Sequence, residues 1–594
     1  MDVDPAAAGE QKLASASDQL LVAAIDFGTT YSGYAFSFRH DYERDALKIS
    51  NNTSWTASGQ GLTSWKTPTT VLLEPDKSFH SFGYEAEEKY IELAEDEKHQ
   101  DWFYFQRFKM LLHDKLGLKR DVLIPDASGK EMEAKKIFAI AIRYLKDHLL
   151  KMILNKGIEF YEEDILWVLT IPAIWSEPAK QFMREAAVEA GIPGVRLKLA
   201  LEPEAASVYC KTVPLERRQD DEQRLTLGPF CIATRYLVLD IGGGTVDVTV
   251  HEVKPDGTLK ELHKASGGAW GGTKVDQAYM ELYENLLGKD VMEEFKHKSK
   301  FDFLDMHRDF EIKKRNLNIE SENINIRLSA ALADHTKEMT NKTVAKNVEI
   351  KGFSDRINVR RDRMTLKVSV IKKMFQPSID SIISHVKEVL RSPKVNNRID
   401  KILMVGGFSE SSVVRKAIRE AFPDVAVVAP DEPGLAVLKG AVIFGHSPSS
   451  ISTRVVRYTY GVAVTVDFDP GYHPEDKMFI DNQDRKLISD CFSKFVTIDE
   501  NVDEDDMKSR EYEIRDKQAP FEITVYASTD ENPVMVTDAD CVKLGRIEVK
   551  PPIGGWRQKA KVTVEFGFGG TEVRVTATEN LTQIQHEVTF DFLS

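Results

Sequence analysis

The fold is decided by LVLDIGGGTVDVTV, residues 237–250: an apolar run, Asp240, three glycines, Thr245 and a second run that carries Asp247. Val246, Val248 and Val250 alternate with polar residues, so the stretch reads as two strands folded back through a glycine turn. Lacking Cβ atoms, Gly242, Gly243 and Gly244 let backbone N–H groups surround an anion that bulkier residues would hold off. Two aspartates beside a phosphate repel it unless one faces a cation or the reacting water, which makes Mg-nucleotide the simplest ligand. A glycine-rich hairpin with a solvated aspartate at each end would account for the same residues.

A second copy stands near the start. LVAAIDFGTTYS, residues 21–32, runs from a strand through Asp26 into Gly28, Thr29, Thr30 and Tyr31, with hydroxyls where the later copy has glycines. Two cradles imply two related lobes that grip one nucleotide, with Asp26 and Asp240 meeting across a cleft around one hydrated metal ion. Residues 26–32 and 240–247 resemble the two phosphate motifs of the actin, hexokinase and 70-kDa heat-shock ATPase superfamily. Within it the chain is most similar to the divergent heat shock 70 kDa protein 12 subfamily. The resemblance implies an α/β fold: a two-lobed, actin-like ATPase domain of duplicated ribonuclease-H-like units over residues 20–446. A disordered segment, 1–19, would precede it; a linker, 447–457, and a C-terminal β-sandwich, 458–594, would follow.

The composition sets outer bounds. The 594 residues suffice for roughly four folding units, and 42% hydrophobic content is ordinary for a globular protein. A formal charge of −15 argues against a nucleic-acid-binding surface. Cys210, Cys231, Cys491 and Cys541 are scattered without CxxC spacing, so buried, inert thiols are expected rather than zinc or disulfides. No apolar run reaches the ~18 residues of a membrane span, and the acidic, alanine-rich start lacks a signal peptide's pattern. A cytoplasmic protein is expected, with the nucleus also open to it.

The resemblance also distributes roles. Asp26, Glu202 and Asp240 would face Mg, mainly through water, and with Thr245 and Asp247 would form the hydrolytic set. Glu202 opens Leu201-Glu-Pro-Glu-Ala-Ala206, similar to the family's NEPTAAA segment, whose first glutamate couples nucleotide state to the rest of the chain. Glu204, where the family has threonine, reads as a solvated helix-start glutamate. Gly271 and Gly272 belong to a ribose and phosphate loop, and Gly406, Gly407 and Phe408 to the glycine motif beside the base. Glu311, Lys314, Arg315 and Asn318 resemble the adenosine clamp; the first three share one helical face, which an exposed ion pair would also explain. One departure is catalytic in meaning. Where the family places a lysine that positions the attacking water, four residues after the glycine matched by Gly83, this chain has Glu87.

Between these motifs, residues 101–151 read as largely helical, and 321–363 is only weakly patterned. The linker is thin in apolar residues and basic where the family's is acidic and leucine-rich. Short strand-like runs follow, at 461–466, 495–498, 521–527, 545–549, 560–566 and 572–578, and the sequence stops where those chaperones begin a helical lid. The expected function is an atypical chaperone-family ATP-binding protein with slow hydrolysis and ATP/ADP with Mg as cofactors. Its β domain would hold a protein client or partner, with a co-chaperone or exchange factor as a further partner. A nucleotide-gated scaffold with negligible hydrolysis is the alternative, and a small-molecule kinase a more remote one, since the chain invests in a separate β domain instead of an acceptor pocket.

Overall fold

Each aspartate–glycine turn seeds a sheet, and the two sheets have the same topology. The computed structural model describes residues 19–593 apart from 53–54, 58–61, 114–116, 220–224, 229, 482–483, 515–517, 558–559 and 587. In the first lobe the order is Leu197–Leu201, Ile165–Ile171, Leu21–Phe27, Tyr31–Phe38, Ser50–Asn51. In the second it is Ala426–Val428, Lys401–Val405, Arg235–Ile241, Val246–Val253, Leu259–Gly268. Both run parallel, parallel, then antiparallel twice. The central strands are largely apolar because both faces are covered, as the buried runs of Leu21–Phe27 and of Arg235–Ile241 after its first residue show, with Asp26 and Asp240 the exceptions near their carboxyl ends.

The lobes join through two helices. Glu202–Thr212 and Ala436–His446 pack on each other between the sheets, in a core that includes Val22, Val168, Ala205, Val238 and Ala441. Their approach requires Gly440, where an added Cβ would stand 1.7 Å from the carbonyl oxygen of Ala205. The segment 321–363 folds as two helices, Ala330–Thr340 and Val344–Ile350, with strands that complete a three-stranded sheet above the second lobe.

Beyond residue 458 two antiparallel sheets share one core. A six-stranded sheet that includes Thr459–Asp467, Phe521–Ser528 and Cys541–Val549 contributes Val462, Ile523 and Ile547. A four-stranded sheet that includes Lys561–Gly567 and Arg574–Glu579 contributes Val562, Val564, Phe566 and Ala577.

Several expectations are corrected. The expected disordered start falls on residues 1–18, outside the described residues, whereas Gln19, grouped with it, is buried. Phe103 and Phe105 lie on the strand Phe103–Gln106, not on a helix, and Phe108 opens a 3-10 turn, Phe108–Leu112; the long helix is Ala134–Asn155. The strand placed at 495–498 is Lys486–Val496. Of the cysteines expected to be buried, Cys231 is exposed and Cys541 half-buried.

Within the stretch expected to be a linker, residues Ile451–Val455 form a strand of the second lobe's sheet, parallel to Leu259–Gly268 on one side and antiparallel to Asn501–Asp503 on the other. The N–H of Val455 donates to Glu261 Oε2 at 2.8 Å. Burial raises the Glu261 carboxyl to about 8, with Glu204 adding to the rise, against the Val455 hydrogen bond and the charges of Arg454 and Arg457. A carboxyl raised above its free value of 4.5 binds its proton more tightly when folded. Its contribution to stability is therefore complete at low pH and is lost as pH rises through about 8. Glu261→Gln should flatten the decline of the unfolding midpoint between roughly pH 5 and 9 relative to wild type; parallel declines in thermal melts would remove Glu261 as the cause.

Candidate functional site

The site lies where the carboxyl ends of the two central strands meet. Asp26 is the penultimate residue of the strand Leu21–Phe27, and Asp240 sits directly across from Asp247 in the register of Arg235–Ile241 with Val246–Val253. Glu202 enters at the first turn of its helix. Around them opens a cleft of about 1030 Å³, at the upper end of the range for small-molecule pockets. Gly28, Thr29, Thr30 and Tyr31 line it from one lobe and Gly242, Gly243, Gly244 and Thr245 from the other. The turns face one another closely: a Cβ on Gly243 would stand 2.1 Å from Thr30 Oγ1, and one on Gly244 would stand 2.7 Å from Thr29 Oγ1. Gly242 closes its own turn by donating its N–H to the carbonyl of Thr245 at 2.9 Å.

The floor carries Asp26, Asp240 and the partly buried Glu202, with Asp247 buried behind them, and two lysines answer two of these carboxylates. Lys66 Nζ donates to Asp26 Oδ2 at 2.5 Å, and Lys109 Nζ to Glu202 Oε1 at 2.6 Å. Thr170 adds a hydrogen bond to Asp26 Oδ1 at 2.9 Å. Burial would raise Asp26, but Lys66, with Lys109 and Thr170, holds it below the ordinary carboxylate value. Burial raises Glu202 to about 7 despite Lys109, with Asp26 and Asp247 contributing. Asp240 is pushed up furthest, by burial and then by Glu202, Asp247 and Asp26, and makes no ion pair among the described residues. Asp247 sits behind the cavity lining and accepts the N–H of Ile174 at 3.1 Å.

This donor set is short of positive charge, which suits a divalent cation. Its oxygens do not form a ready cage: among the described residues, only Asp538, Asp540 and Cys541 place three ligand atoms within 4.8 Å of one another. A hydrated Mg²⁺, which keeps several waters, fits Asp26, Glu202 and Asp240 better than a directly ligated ion would.

Glu311, Lys314 and Arg315 stand on the last turns of the helix Lys300–Arg315 and face the cleft. Lys314 Nζ is held between Glu311 at 2.5 Å and Asp276 at 2.6 Å, and Arg315 Nε donates to Glu311 at 2.7 Å. Burial opposes ionisation of Glu311, but Lys314 and Arg315 bring its carboxyl down to about 2. The Arg315 guanidinium lies 4.1 Å over the Tyr31 ring, joining the two lobes across the cleft. Arg107 does the same lower down, reaching Asp276 at 2.7 Å.

Not every expected residue reaches the cleft. Gly272, Gly406, Gly407 and Phe408 line it, Phe408 stacking on Phe375 at 5.8 Å. Gly271 instead packs against the carbonyls of Gly242 and Gly243. Asn318 is exposed beyond the helix, where its Oδ1 accepts the N–H of Glu320. Glu87 lies in the cleft wall, raised to about 7 by burial, with Arg308, Glu311 and Arg107 its weightiest charges.

The reading of Glu204 as solvated is overturned. It is 1% exposed and pairs in bidentate fashion with Arg454 of the linker strand, Nε to Oε1 at 2.7 Å and Nη2 to Oε2 at 2.9 Å. Arg454 also donates to the carbonyl of Gly569, and Arg457 donates to the carbonyls of Ala173 and Trp175 at 3.0 Å each. Glu204 is two positions from Glu202, so one helix start touches both the nucleotide-sized cleft and the linker.

The family model for Hsp70 protein matches residues 106–456. Heat shock 70 kDa protein 12A of Mus musculus is 34% identical over 97% of this chain and 92% of its own. The chain belongs to the Hsp70 family. It is a divergent member, of the heat shock 70 kDa protein 12 subfamily: 12B of Homo sapiens is likewise 34% identical, over 97% of this chain and 91% of its own. Chaperone protein DnaK of Mycoplasma mobile is 27% identical over 59% of this chain and half of its own. Hsp70 membership brings the actin-like ATPase fold, with which the duplicated sheets agree. Among the described residues, no helix is long and apolar enough to cross a membrane.

The Glu204–Arg454 pair can be tested as a buried ion pair. Glu204→Leu alone strands a buried guanidinium and should destabilise the protein by about 3–5 kcal/mol, whereas Glu204→Leu with Arg454→Met should recover roughly half or more of that loss. Denaturant titration of the three proteins measures both, and equal losses in the single and double variants would show that the pairing is not what matters.

Proposed function

We propose that this Hsp70-family chain binds Mg-ATP or Mg-ADP between its lobes, hydrolyses ATP slowly, and engages a protein client or partner through its C-terminal β region. The observation that carries the reading is the pair of facing turns over a carboxylate floor, continuous with the Glu311–Lys314–Arg315 group in one cleft. Backbone N–H groups of both turns would take the phosphates. Lys314, already fixed by Asp276 and Glu311, would donate to the ribose, and Arg315 would leave Tyr31 to stack on the purine. Mg²⁺, held through water by Asp26, Glu202 and Asp240, would neutralise charge on the phosphates. Asp247, with Thr245 beside it, would orient the attacking water.

The scaffold alternative, in which hydrolysis is negligible, has support in Glu87, a carboxyl where the family's resemblance asks for an ammonium. For the β region, the reading of a sandwich is supported by two antiparallel sheets around one core. The linker strand, fixed by Arg454 to the segment that holds Glu202, gives nucleotide state a route to that sandwich. A cytoplasmic setting, and a co-chaperone or exchange factor as a further partner, belong to the same reading.

Calorimetry with Mg-ADP and Mg-ATP tests it. Asp240→Ala and Gly243→Val should each weaken binding by at least about tenfold, 1.4 kcal/mol, the second because its side chain meets Thr30 where phosphate must enter. Wild-type affinity in both variants would remove nucleotide from the cleft.

A further inference from the structure

Lys109 is a buried cation that the sequence motifs do not explain. It stands in the 3-10 turn Phe108–Leu112, directly beneath the phosphate turns: its neighbour Met110 accepts a hydrogen bond from Thr29 Oγ1 at 3.9 Å, and the Met110 sulfur would stand 2.7 Å from a Cβ on Gly244. Its side chain is 3% exposed yet lines the cleft, paired with Glu202 at 2.6 Å, and its ammonium lies 5.2 Å over the ring of Trp175. Its charge bears on Asp26 and Asp247 as well as on Glu202. Lys66 is a weaker candidate, being 18% exposed and committed to Asp26 at 2.5 Å. Burying an ammonium is costly, and a pair with one carboxylate in a cluster of four does not by itself require a site beneath the phosphate turns.

We propose that Lys109 is a catalytic residue for hydrolysis, its ammonium moving from Glu202 to the terminal phosphate of bound ATP. The proposal rests on the nucleotide reading above. Water attacks the terminal phosphorus, forming one P–O bond; the bond to the bridging oxygen breaks and its electron pair stays on ADP. The products are ADP, phosphate and a proton, which leaves to solvent. Lys109 remains protonated throughout, donating N–H bonds to phosphate oxygens as their charge redistributes, which is where a fixed cation lowers the barrier. Glu202, freed from Lys109, would then be one of the residues that hold Mg²⁺ through water. Lys109 thereby supplies the positive charge that Glu87 does not: the weightiest charges around Glu87 are Arg308 and Glu311, on the Lys300–Arg315 helix, and Arg107, which precedes the 3-10 turn of Lys109.

Single-turnover hydrolysis and calorimetry on the full chain test this, with Lys109→Met, Lys109→Arg and Glu87→Lys. Lys109→Met should lower the hydrolysis rate by about 100-fold or more, the scale of losing one transition-state donor, while affinity for Mg-ADP changes by less than about tenfold. Lys109→Arg, which keeps the charge, should recover part of the rate, and Glu87→Lys should bring no tenfold gain, because Lys109 already supplies the charge. Thermal melts confirm that the variants fold; should Lys109→Met fail to, Lys109→Arg and Glu87→Lys still decide. An unchanged rate in Lys109→Met, or a tenfold gain in Glu87→Lys, overturns the assignment while leaving nucleotide binding intact. Absence of Mg-nucleotide binding to the wild type would instead overturn the reading on which it rests.

Discussion

Four carboxylates brought together out of water at the meeting of two sheets are the constraint around which this molecule is arranged. Asp26, Glu202, Asp240 and Asp247 repel one another, and burial denies them the solvent that would screen that repulsion. Each neighbouring feature offsets part of the cost. Lys66 and Lys109 arrive from separate segments to pair with Asp26 and Glu202, Thr170 and the N–H of Ile174 serve Asp26 and Asp247, and Asp240 makes no ion pair among the described residues. A carboxylate cluster of this kind is unstable on its own account and is held by the largely apolar, buried strands that carry Asp26 and Asp240.

The parts legible in the sequence were those in which local letters determine local geometry. An aspartate, a glycine turn and alternating valines specify a strand pair wherever they occur, and the two copies specify two lobes. The shared face of Glu311, Lys314 and Arg315 follows from helical spacing alone. What could not be read depends on residues far apart in sequence. Lys66 lies 40 positions from its aspartate and Lys109 93 from its glutamate, and nothing in their local sequence reveals the pairing.

Glu204 shows the same limit most clearly. At the start of a helix, a glutamate with no visible partner is best read as solvated, and its partner lies 250 residues away. A signal was present nonetheless. Glu204 replaces a threonine and the linker reverses its charge, two departures of opposite sign that explain each other once they are taken together. Asn318 erred the other way: the resemblance to the adenosine clamp carried it into the site, but the helix Lys300–Arg315 ends before it and its side chain is exposed.

The β region is attached on both sides of the cleft. Its strand Asn501–Asp503 extends the second lobe's sheet, while Arg184 reaches Glu572 at 2.7 Å, Lys180 reaches the carbonyl of Thr571 at 2.9 Å, and Leu593 enters the first lobe's core. A body bolted to both jaws behaves as a strain gauge. Any change in the opening between the lobes loads one set of attachments against the other, and the load is felt in both directions. Whatever binds the β region more tightly in one jaw setting must alter the affinity of the cleft by the same factor that the cleft's occupant alters its own, without any dedicated signalling residue between them.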